Sequence, residues 1–114
     1  MLKNIINEFR QRNGQHSVSI GDELENEHCL YHCKYMASVQ NCFHAPEHLL
    51  YGKSEAVGYC YFFRDPLEAL GVIIFDQFSN SMGHRNILLF SRHLACAFHV
   101  DHESKLVFVT VRGW

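Results

Sequence analysis

The chain has no uninterrupted apolar stretch approaching the roughly 18 residues that a bilayer crossing requires, so the sequence predicts no transmembrane segment. Its first residues, MLKNIINEFRQRNG, are amphipathic and lack the charged head and apolar run of a signal peptide. Proline is scarce, at two residues, and glycine numbers seven, which excludes a fibrous or low-complexity chain. Neither charge sign dominates. Ten Lys and Arg against twelve Asp and Glu give a formal net charge of -2, without the basic footprint of a duplex-binding domain, and no nucleic-acid partner is expected. Several catalytic signatures are also missing: a Gly-x-Ser-x-Gly elbow, a phosphate-binding loop and a His-Glu-x-x-His helix.

What is present is the material for one core. Of 114 residues, 47% are apolar and 13% aromatic, which suits a single domain over residues 1–114. Leu2, Ile5, Ile6 and Phe9 share one helical face and Gly14 follows as a stop, predicting a helix over 2–12. Asp22 can cap a second helix ending near Ser38, with Leu24, His28, Cys29, His32, Cys33 and Met36 on or beside one side. Asp65-Pro66-Leu67-Glu68 starts a third helix running to about Ser79: the carboxylate accepts orphan amide bonds and Pro fits the first turn. Ala56 to Phe63 suits a buried strand, and Leu94 to Val100 with Leu106 to Val111 forms a hairpin around Asp101-His102-Glu103-Ser104. No βαβ repeat appears, so the order predicts an α+β sheet flanked by helices.

Nine histidines carry more of the chemical information than the five cysteines. Ser81-Met82-Gly83-His84-Arg85 reads as a loop past the third helix, where Gly83 lets the backbone turn and aim the imidazole. Asn41-Cys42-Phe43-His44 follows the second helix, and Lys53-Ser54-Glu55-Ala56-Val57 opens the strand. The order is helix, His, Glu-strand, helix, Gly-His, hairpin.

In this order the chain resembles the CAP superfamily, the fold of cysteine-rich secretory proteins, insect venom antigens and plant pathogenesis-related proteins, and its compact bacterial branch. The helix with His32, Met36 and Ala37 looks like the family's Ala-rich helix, and Phe43-His44 looks like its first His motif. Ser54-Glu55-Ala56-Val57 stands at its Glu-Asn-Ile strand start, with Ala56 in place of Asn. Ser79 to Arg85 resembles the Ser-Pro-Gly-His-Arg signature, with Phe78 where an aromatic is expected. The resemblance implies a three-layer α-β-α sandwich with a mainly antiparallel central sheet. It also implies a cleft where His44, Glu55 and His84 meet, with Asp76, Ser81 and Arg85 as neighbours, and an extracellular setting. The chain as read shows no leader, so a cytoplasmic one stays open.

Two imidazoles and a carboxylate suit a divalent metal such as zinc, held by His44 and His84 with Glu55 as ligand or general base. The alternative is structural: His44 and Glu55 form a hydrogen bond tying the loop to the sheet. His28 with His32 and Cys29 with Cys33 pair at helical spacing, a thiolate and imidazole array that reads more readily as core packing. Cys60 and Cys96 could be sheet neighbours, and Cys42 could be a nucleophile activated by His44. Of the aromatics Tyr51, Tyr59, Tyr61, Phe62 and Phe63, most are expected in the core and the rest in a ligand groove. His48 is expected at the surface, and His93, His99 and His102 are expected to be solvated. Three functions compete: a noncatalytic module binding a lipid, small molecule, glycan or protein; a metal-dependent hydrolase; and a surface interaction scaffold.

Overall fold

The apolar spacing near the start is realised in α1 (Leu2–Arg12), whose buried face carries Leu2, Ile6 and Phe9. The structure, a computed structural model, describes residues 1–114. It continues with α2 (Glu23–Val39), the short α3 (Glu47–Leu50), β1 (Ser54–Tyr61), α4 (Pro66–Val72), α5 (Met82–Phe90), β2 (Leu94–Asp101) and β3 (Leu106–Gly113). Both anticipated caps form. Asp22 accepts the Glu25 N–H at 3.2 Å, and Asp65 accepts the Leu67 N–H at 2.9 Å, each satisfying a donor that the first helical turn leaves orphaned.

The third predicted helix has the expected extent, but beyond α4 it widens, and Ile73–Phe78 winds as a π-helix. The extra residue per turn lets Ile73, Ile74 and Phe78 all enter the core. Gly58 in β1 makes room for this wide turn: a Cβ there would stand 2.8 Å from Phe78 Cε1 and 3.1 Å from Ile73 Cγ2.

Two expectations change. The segment after Ser81 is a helix, because Ser81 adopts the extended backbone of an N-cap and Leu88 and Leu89 supply a buried face. Gly83 therefore sits in the first turn of α5 and does not break it, and His84 is a helical residue. The strand anticipated at 56–63 begins at Ser54 and ends at Tyr61, which brings Glu55 into the sheet. Phe62 then leaves the ladder, donating its N–H to the Lys105 carbonyl at 3.0 Å.

The sheet is antiparallel with the order β1-β3-β2: the C-terminal hairpin forms as expected and β1 joins the free edge of β3. The pleat sorts β3 residues between two faces. Val107, Val109 and Val111 join Ala56, Leu94 and Cys96 in the main core with α1, α4 and α5. Phe108 turns to Cys33, Met36 and Ala37 of α2, and Thr110 and Arg112 follow on the same face. The three layers are thus helix, antiparallel sheet and helices, an α+β sandwich. Cys60 pairs with Val107 and Cys96 with Val111 on opposite sides of β3, so they are not sheet neighbours, and all five cysteines are free. Of the aromatics around β1, Phe62 alone is buried; Tyr51, Tyr59, Tyr61 and Phe63 are exposed, because Tyr59 and Tyr61 lie at an edge strand and Phe63 lies beyond it.

Candidate functional site

Glu55 lies opposite Arg112 in the β1–β3 register, with its side chain 1% exposed. A carboxylate that deep must be held by donors, or desolvation disfavours its charge. It has three: Arg112 Nε donates to Oε2 at 3.0 Å, the Ala45 backbone N–H donates to Oε1 at 2.9 Å, and His44 Nδ1 lies 3.1 Å from Oε1. An ionised carboxylate only accepts, so it fixes the His44 proton on Nδ1 and leaves Nε2 of a neutral ring as a lone-pair nitrogen. The ring itself is 57% exposed, an accessible imidazole anchored to a buried base.

His84 approaches from the first turn of α5. Its ring packs against Phe78 with centroids 4.9 Å apart, and it lies 6.4 Å from the His44 ring. Burial, and then the facing His44, lower its pKa below the ordinary imidazole value, so at neutral pH it favours the uncharged form. The structure therefore brings His44, Glu55 and His84 together. None of the other three anticipated neighbours is hydrogen-bonded through its side chain to these groups. Asp76 is exposed, and its charge acts on Cys60. The Ser81 carbonyl accepts the Arg85 N–H at 2.8 Å, and Arg85 Nη2 donates to Asn13 Oδ1 at 2.8 Å, tying α5 to the end of α1.

Zinc chemistry can be tested on the donors present. Imidazole nitrogens are suitable ligands, but catalytic zinc sites take three protein ligands. Both Glu55 oxygens are already engaged, and no group of three His, Cys, Asp or Glu side chains is arranged to hold a metal ion. The donors thus fall one short of a catalytic zinc centre, and Glu55 stands as the group that orients His44.

The second helix uses its polar residues differently. His32 Nε2 donates to the Phe43 carbonyl at 2.7 Å, while His28 Nδ1 lies 3.7 Å from Glu25 Oε2. Cys29 and Cys33 are fully buried, and the Cys33 thiol donates to Thr110 Oγ1 at 3.2 Å. Burial pushes the Cys33 thiol up to about 12, which suits packing and opposes thiolate ligation. Burial, and then the nearby Glu55, also raise the half-buried Cys42 thiol, the opposite of what an activated nucleophile needs. His48, His93 and His102 are exposed, with His93 stacked on Trp114, and His99 is half-buried on the α2 side of the sheet.

Sequence reasoning missed Arg112. Its signal was the alternation Phe108, Thr110, Arg112, which places a guanidinium at an inward position of a strand and so demands a buried partner. It also missed the groove that Tyr31 and Tyr35 help to line, on the α2 side of Arg112.

The model of the cysteine-rich secretory protein family, CAP, matches residues 3–112. A search of curated proteins gives no match. With nearly its whole length matched, and with helix, His loop, Glu strand and His helix in that order around one sheet, the chain belongs to the CAP family.

Proposed function

We propose that the chain is a noncatalytic CAP-type binding module, working outside the cell as members of this family commonly do. His44 and His84 are the groups its cleft offers to a ligand, and Glu55 is their fixed support. The observation that carries this reading is the engagement of Glu55 by three donors. A carboxylate held by three donors is committed to positioning His44 and Arg112, and the lowered pKa of an activated cysteine nucleophile is missing at Cys42. What the cleft presents is two imidazoles at close range, suited to hydrogen bonding an oxygen-bearing group of a lipid, small molecule, glycan or protein. No helix is long and apolar enough to cross a membrane.

The hydrolase reading is separated from this one by calorimetric zinc titration of the metal-stripped protein, repeated with His44→Ala and His84→Ala. A two-imidazole cleft binds zinc weakly, and either variant removes that binding. A panel of esters and peptides should show no metal-dependent turnover. Turnover that requires zinc and disappears in Glu55→Gln would overturn the proposal and favour the hydrolase.

A further inference from the structure

On the α2 side of the sheet, α2, α3 and the end of β3 enclose a groove of about 340 Å³ whose lining includes neither His44 nor His84. Tyr31 and Tyr35 form one wall, a helical turn apart on α2, and Leu49 and Tyr51 form the other. All four are exposed, Tyr31 by 75% and Tyr51 by 69%. Arg112 contributes to the lining from β3, although its side chain is only 5% exposed.

The state of that guanidinium is informative. Nε donates to Glu55, but neither terminal nitrogen has a protein acceptor. Ser104 Oγ is the one sealed side-chain polar atom lacking a partner, so the Arg112 terminal nitrogens are not sealed, and the opening available to them is the groove. A buried arginine thus presents unpaired N–H groups to an aromatic-walled pocket. A ligand oxygen that replaces solvent there makes charge-assisted hydrogen bonds to a guanidinium held in a largely buried position.

We propose that this groove binds a small organic monocarboxylic acid, with its carboxylate on the terminal nitrogens of Arg112 and its apolar body between Tyr31, Tyr35, Leu49 and Tyr51. The planar guanidinium fork matches the two oxygens of a carboxylate, whereas a hydroxyl or lone carbonyl satisfies only part of it. Glu55, already on the Nε side of the same guanidinium, disfavours a second negative charge and so selects a monoanion over a phosphate dianion. The volume lies at the lower end of the range for ligand pockets, which suits one ring or a short chain.

The test is calorimetric titration with 3-phenylpropionate and with its uncharged counterpart 3-phenylpropanol. The acid binds once per chain and about tenfold more tightly than the alcohol, the difference expected of hydrogen bonds to a charged group. Leu49→Glu, which places a like charge at an exposed edge of the groove, weakens the acid by about tenfold, and Tyr31→Ala weakens both probes. Tyr61→Ala, an exposed aromatic outside the groove, changes neither. Arg112→Lys keeps the charge but loses the fork, and where folded by circular dichroism it binds the acid more weakly. Acid and alcohol binding alike, no saturable binding of the acid, or Leu49→Glu and Tyr31→Ala without effect would each overturn the proposal. These residues are distinct from the zinc-titrated pair, so failure here leaves the reading of the His44–His84 cleft standing.

Discussion

On the side of the sheet covered by α1, α4 and α5, β3 presents Val107, Val109 and Val111, all fully buried among other apolar side chains. On the side covered by α2, the same strand presents Phe108, Thr110 and Arg112, equally buried but holding a thiol, a hydroxyl and an ion pair. The apolar face gains from burial roughly in proportion to area, and each lost methylene costs a limited amount. The polar face gains little from its ion pair relative to an apolar equivalent, yet loses heavily when one member is removed. Burial alone does not distinguish these faces; the consequence of breaking them does. The polar face is also the one that supports both the His44 anchor and the groove.

The sharpest way to break the polar face is Arg112→Met, which strands Glu55 and should lower stability by about 3–5 kcal/mol in urea unfolding. Pairing it with Glu55→Leu removes both charges and should restore most of that loss; a double variant as unstable as the single would contradict the ion-pair account. On the apolar face Leu70→Ala should cost about 3 kcal/mol by leaving a cavity, and no single partner substitution should restore it. Gly58→Ala overpacks β1 against Phe78 and should cost about 1–3 kcal/mol. Because Phe78 also supports His84, that substitution should shift the His84 ring resonances in NMR spectra.

The smallest effect expected is that of pH. The folded pKa of His84 lies below its unfolded value near 6.5, so on acidification the unfolded chain takes up its proton first. The stability tied to neutral His84 is therefore present above about pH 6.5 and is lost as pH falls through the lower folded value. His84→Gln should flatten this part of the profile. Urea midpoints that fall equally in both proteins between about pH 7 and pH 5 would remove His84 as the cause.

Much of the fold was legible because its signals are local. Asp22 and Asp65 announce their helices by capping, and the hairpin is marked by two apolar runs around a polar tetrapeptide. The proximity of His44, Glu55 and His84 was also legible, through motif order. What escaped depends on neighbours distant in sequence. Gly83 reads as a breaker until Ser81 is seen in the extended N-cap backbone of α5 and Leu88 and Leu89 are seen to bury it. The π-helical turn depends on Gly58 in another element. Glu55 looked available for chemistry because Arg112, 57 residues away, was not visible as its partner.

None of the five thiols is in a disulfide: Cys29 and Cys33 lie one turn apart on one helix, Cys60 and Cys96 are divided by the middle strand, and Cys42 stands half-buried in a loop. This domain is therefore closed without any covalent staple. Its melting temperature should be the same with and without a reductant such as dithiothreitol.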